Sequence, residues 1–166
     1  MRKIISATLA AGIMTAGVAH AAGTATTTFA VTATVAATCS TSATALAFPT
    51  YTPGGGAVTQ TSAVSVKCTQ GTPYTVGLNG GGTTGGTVAQ RLMASGTNTL
   101  QYNLYTTNGY ATVWGNTTGS WQSGTGAGLG TTNSLTVYGQ IPDSATNQAA
   151  VPATTYADTI TVTVTY

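Results

Sequence analysis

TATTTFAVTATVAAT, residues 24–38, alternates with a period of two. Ala25, Thr27, Phe29, Val31, Ala33, Val35 and Ala37 share one parity, so an extended backbone places them on one face and mostly threonines on the other. Such a face is stable only against a sheet. The segment follows directly on a leader-like stretch, at the start of the expected mature chain, where segments stay unordered unless tied down. Either the chain's own sheet receives it or the sheet of a second molecule does, and that choice separates a monomer from a polymer.

Upstream, Arg2 and Lys3 precede an apolar run over residues 4–18, and Ala19-His20-Ala21 supplies the small-x-small pattern at which a signal peptidase cuts. The run is shorter than the ~20 apolar residues a spanning helix needs, and no later stretch approaches that length. We therefore expect residues 1–21 to be a secretory signal peptide and residues 22–166 to be exported as one soluble domain, without membrane insertion. Cleavage removes Arg2, Lys3 and His20, leaving Lys67 and Arg91 against Asp143 and Asp158, so the formal charge falls from +2 to zero. Nucleic-acid binding, which needs clustered cations, is excluded on that count. A near-neutral surface rich in Thr and Gly also lacks the charge that keeps small domains apart, so self-association is expected.

Cys39 and Cys68 are the two cysteines of the chain. In an exported protein such a pair is expected to form a disulfide. Two thiols without a histidine do not complete a tetrahedral metal site, so no metal or cofactor is expected. Nucleophilic catalysis lacks its usual base for the same reason. Asp143 follows Pro142 in a turn and Asp158 opens the last alternating stretch, where single carboxylates commonly accept from loop amides; a glycosidase pair is the less economical reading. The Gly-rich stretches at residues 80–86 and 124–130 hold no phosphate-binding pattern and read as loops. The T-x-T runs show no fixed repeat of the kind an ice-binding surface requires. No enzymatic function is expected.

The remaining chain reads as short strands separated by turns. Leu46 and Phe48 alternate before Pro49, Pro53 and a run of three glycines; Val64, Val66 and Cys68 share a face, as do Tyr74, Val76 and Leu78, then Leu100, Tyr102 and Leu104, then a run containing Val113 and Trp114, then Leu135, Val137 and Ile141. Residues 156–166 show the cleanest alternation, with Ile160, Val162, Val164 and Tyr166 inward, and the chain stops there. A long final strand with nothing left to cover its far side is an edge that folded proteins normally protect. No helical periodicity follows the leader. The pattern predicts an antiparallel β-sandwich or barrel.

The runs TFAVTATVAATCSTSATALAFPTY, VKCTQGTPYTVGLNGG, LQYNLYT with TVWG, LTVYGQIP and VPATTYADTITVTVTY occur in order along residues 28–166. Together they resemble the spore coat protein U domain family, whose members include subunits of archaic chaperone-usher pili. Pro49 departs from that pattern, standing where a glycine is expected. The resemblance implies an all-β fold, an incomplete immunoglobulin-like antiparallel β-sandwich completed by donor-strand exchange. On that reading residues 22–37 are the N-terminal donor-strand extension, with Thr27, Phe29, Val31, Ala33 and Val35 as its inserting stripe. Residues 38–166 are the sandwich (pilin) domain, tied by Cys39 and Cys68, with Ile160, Val162, Val164 and Tyr166 lining the acceptor groove and meeting the chaperone. The implied role is the major structural subunit of an extracellular adhesive fibre for surface attachment and biofilm. It is a homopolymer of identical subunits delivered through the periplasm by a periplasmic chaperone and an outer-membrane usher. The alternative is a secreted spore, cyst or cell-surface coat protein that forms no pilus.

Overall fold

The computed structural model describes residues 22–152 and 155–166. The expected signal peptide, residues 1–21, lies outside them. The chain divides into two units, Met1–Thr34 and Val35–Tyr166. In the first, residues 22–34 carry neither strand nor helix and are exposed throughout.

Among the described residues the second unit is all-β apart from one short turn of helix. A five-stranded sheet runs in the order β1 (Cys39–Ala43), β2 (Val58–Cys68), β7 (Asn133–Ile141), β5 (Asn98–Tyr105), β4 (Arg91–Ser95). A three-stranded sheet runs β6 (Gln122–Thr125), β3 (Pro73–Leu78), β8 (Val162–Thr165). The neighbours within each sheet are antiparallel. Alternation decides which residues meet between the sheets. Val64, Val66 and Cys68 of β2, Leu100, Tyr102 and Leu104 of β5, and Val137 and Ile141 of β7 bury one face, against Tyr74, Val76 and Leu78 of β3. Ser65 and Lys67 face outward between them, as a period of two requires.

Trp114 is wholly buried but belongs to no strand. Its backbone N–H donates to Leu104 O at 2.9 Å and its indole Nε1 to Val76 O at 2.8 Å, so a single loop residue bridges both sheets. The helix α1 (Ala145–Gln148) is too short to leave a periodic signature; Ser144 caps it by accepting from Asn147 N–H. Buried Asn147 pairs with Gln101 through both its carboxamide groups, at 2.9 Å each way.

Cys39 and Cys68 form a disulfide, and they are also the first register pair of β1 and β2. The bridge therefore fastens an outer strand to an inner one at the point where the chain enters the sandwich. Closing a loop of 29 positions contributes about 3 to 4 kcal/mol on the chain-entropy model. Reduction is expected to lower the denaturant midpoint correspondingly, with no change in far-UV spectrum under native conditions. An identical midpoint with and without reductant contradicts this.

Two elements differ from the alternation read in the sequence. Leu46 and Phe48 lie on irregular backbone after β1, and ladder pairing in residues 156–166 is confined to β8. The physical reason in the second case is a crossover. Ala157 exchanges both backbone hydrogen bonds with Ala94 of β4, at 2.8 and 3.0 Å, whereas Thr161 O accepts from Asn79 N–H beyond β3 at 3.2 Å. Residues 157–161 thus pass from one sheet to the other, and ladder pairing begins only after they arrive.

Candidate functional site

β1 and β8 are edge strands of their respective sheets. Between β8 and the segment that follows β1 lies a groove of about 420 Å³ that opens onto the core. Ala43, Leu46 and Phe48 form one wall, Ile160 and Val162 the other, and Leu78, Tyr102, Leu104 and Val137 the floor. Gly139 of β7 explains how the first wall fits. A Cβ there would lie 2.8 Å from Leu46 Cδ1 and 2.9 Å from Phe48 Cζ, so the two side chains occupy space that only glycine leaves.

The four residues predicted to line a groove are placed unequally. Ile160 and Val162 line it, Val164 packs against the core beside them, and Tyr166 is 59% exposed. Register pairs Val164 with Val76 and Val162 with Leu78. Yet Leu78 N–H donates to Gly115 O at 3.0 Å and Val76 O accepts from Trp114, so β3 turns these groups away from β8. In an antiparallel ladder bonding alternates, which leaves Thr161, Thr163 and Thr165 to carry the bonds to β3. The backbone N–H and C=O of Val162 and Val164 therefore point to the outer edge of β8, which has no strand partner among the described residues. Apolar side chains inward and a row of unused backbone groups sideways are what an added strand needs.

The predicted inserting stripe lies at the other end of the sequence. Phe29 is 86% exposed, Val31 83% and Val35 87%, and Thr27 and Ala33 are exposed as well. These are large apolar side chains in water, without the burial such residues usually find.

Both aspartates act as loop clamps. Asp143 Oδ1 accepts from the Tyr51 hydroxyl at 2.6 Å and Gly54 N–H at 3.1 Å, and Oδ2 from Gly56 N–H at 3.0 Å. Those bonds, the Tyr51 hydroxyl foremost, hold its carboxyl below the usual carboxylate range. Burial and the same bond push the Tyr51 phenol up to about 12. Asp158 accepts from the Tyr102 hydroxyl at 2.7 Å, from Gly82 N–H at 2.8 Å and from Thr83 N–H at 3.0 Å. Burial pushes its carboxyl up, but the bonds from Tyr102, the backbone and Thr83 outweigh it, and the net shift is downward. Both folded values lie below the unfolded ones, so this part of the stability is fully present above about pH 4 and lost as pH falls through the folded values. The melting temperature is expected to stay level from neutral pH to about 4 and to fall below it, with Asp143→Asn and Asp158→Asn each flattening the fall. A curve that stays level to pH 2 in the parent contradicts the assignment.

Arg91 is a residue that sequence reasoning missed, since a lone cation normally signals a solvated surface. It is 0% exposed. Nε donates to Asn79 O at 2.9 Å, Nη1 to Asn103 Oδ1 at 2.6 Å, and Nη2 to Leu78 O at 3.2 Å and Trp114 O at 2.7 Å. Burial lowers its pKa to about 10, with Tyr102 and Asp158 acting the other way. It remains charged at neutral pH and joins β4 to the end of β3. No grouping of three or more His, Cys, Asp or Glu that would hold a metal occurs among the described residues. Among them, too, no helix is long and apolar enough to cross a membrane.

The model of the spore coat protein U domain matches residues 25–163, a span that takes in the exposed stripe, both cysteines and the β8 wall. The chain belongs to the spore coat protein U domain family. No curated protein matches it. Among solved structures, a chain of the CsuC-CsuE chaperone-tip adhesion subunit pre-assembly complex, from archaic chaperone-usher Csu pili of Acinetobacter baumannii, is similar over 80% of this chain. The identity is 26% and the TM-score 0.54. This spore coat protein U domain spans 41% of that chain. The two antiparallel sheets, five strands against three, form the all-β, immunoglobulin-like architecture expected from the family.

Proposed function

We propose that this protein is a structural subunit of a chaperone-usher pilus, assembled by insertion of residues 24–35 of one copy into the groove of the next. The observation that carries the reading is the match between two halves that are each incomplete. The groove has inward apolar walls and unused backbone groups along β8, and the exposed stripe supplies Phe29, Val31 and Val35 at strand spacing. Strand addition then gives affinity through backbone bonds and register through alternate side chains. Each of the three large residues gains about 1.5 to 3 kcal/mol on full burial, less the cost of ordering the segment.

On this reading residues 22–37 are the donor extension and 38–166 the receiving domain. A periplasmic chaperone occupies the groove before assembly, an outer-membrane usher exchanges it for the next copy, and the homopolymer is extracellular, serving attachment and biofilm. The similarity to a chain of a chaperone–subunit complex supports the chaperone as a partner. The test is electron microscopy of surface material shed by cells that make the protein together with a chaperone and usher. Thin fibres that bind antibody to the chain are expected. Globular particles alone return the coat-protein reading.

A further inference from the structure

Tyr102, on the floor of the groove, meets Phe48 of one wall and the crossover that leads into the other. Its ring is 5% exposed and meets Phe48 edge-on, with centroids 6.2 Å apart and planes at 70°. Its hydroxyl donates to Asp158 Oδ2 at 2.7 Å. Asp158 stands in the crossover of residues 157–161, which leads into the Ile160 and Val162 wall. Its Oδ1 binds the opposite loop through Gly82 N–H, Thr83 N–H and the Thr83 hydroxyl, the last at 3.1 Å. The loop closes around the carboxylate so tightly that Gly81, at φ +94°, has no room for a Cβ beside it. Backbone bonds at Ala157 and Thr161 hold the two ends of the crossover, and between them the Asp158 side chain anchors it. A phenol bonded to a carboxylate is among the stronger side-chain anchors.

We infer that Tyr102 and Asp158 are a positioning pair that fixes the β8 wall relative to the Phe48 wall and so preorganises the groove for the incoming strand of a second copy. The inference rests on the strand-insertion reading above. Preorganisation lowers the ordering cost at the moment of binding, so its loss shows in capture of the strand beyond any general loss of stability.

The chain supplies its own control. Tyr51 donates to Asp143 as Tyr102 does to Asp158, but away from the β8 wall. The experiment uses the full mature chain carrying Val31→Asp, which disables its own inserting stripe, and a fluorescent synthetic peptide of residues 24–35 read by anisotropy. Tyr102→Phe, which keeps the ring and deletes only the hydroxyl, and Asp158→Asn are each expected to weaken peptide binding about tenfold or more, with the double variant no weaker than the worse single one. Tyr51→Phe is expected to lower the melting temperature comparably while leaving peptide affinity within about twofold. If Tyr102→Phe binds as the parent does, or if Tyr51→Phe loses as much, the positioning pair is overturned and strand insertion stands. If the Val31→Asp parent captures no peptide at all, strand insertion is overturned and the pair with it.

Discussion

Appending TATTTFAVTATV after Tyr166 through a short flexible linker is expected to raise the melting temperature by on the order of 10 °C or more, relative to the same domain lacking residues 24–35. It should also yield a protein that no longer polymerises. The outer edge of β8 offers the backbone groups of Val162 and Val164, and its inner face with Tyr102 and Leu104 leaves the groove open. An uncovered edge in that state is prone to aggregation. A tethered strand reaches an effective concentration of roughly millimolar, enough to saturate even a modest groove. A net gain of a few kcal/mol, at ~2 to 4 °C for each, accounts for the expected shift in a domain of this size. Should the truncated domain instead prove monomeric, cooperative and as stable as the extended one, the sandwich is complete by itself and the pilus proposal fails.

The second large effect is expected from Val31→Asp, which should abolish assembly while leaving the subunit folded. Val31 is 83% exposed, so the new carboxylate costs the isolated chain nothing in packing. On insertion the same carboxylate would enter a groove lined by Leu78, Leu104, Val137 and Ile160, at a cost of several kcal/mol unless it is protonated. Four kcal/mol is about a thousandfold in affinity, enough to stop exchange at ordinary concentrations. Thr32→Asp places an identical charge on the opposite face of the strand and should assemble normally. Fibre mass from the two variants, measured by sedimentation and micrographs, decides the matter; equal yields would mean that the stripe is not the inserting face.

The sequence alone was enough for the sheet class and for the alternation at both ends of the chain, because each is a local pattern. A period of two in residues 24–38 and 156–166 needs no tertiary context to be seen, and the paired cysteines of an exported chain need little more. The inward faces of β2, β3, β5 and β7 were legible for the same reason, since alternation sorts residues by face wherever a strand has one dry side. The aspartates were also read correctly as loop acceptors, from their places after a proline and at the head of a strand.

What alternation does not encode is where a ladder begins or who the neighbours are. Residues 156–166 alternate throughout, yet ladder pairing is confined to β8 because Ala157 is held by β4 and Thr161 by Asn79, two partners far apart in sequence. Leu46 and Phe48 alternate like a strand but sit on irregular backbone, wedged over Gly139, whose missing side chain is on β7. Arg91 looks like any surface cation until three carbonyls and an asparagine, from the end of β3, the Trp114 loop and β5, converge on it. Nor does any pattern join Tyr102 to Asp158 across 56 positions. Periodicity is a property of one segment and its solvent, so the sequence by itself determined the inward faces of β2, β3, β5 and β7 but not β1, β4 and β6, which no clear alternation marks. Convergence of polar groups depends on the packing of several segments at once, so the tertiary structure alone decided the groove, its walls and the clamps that hold them.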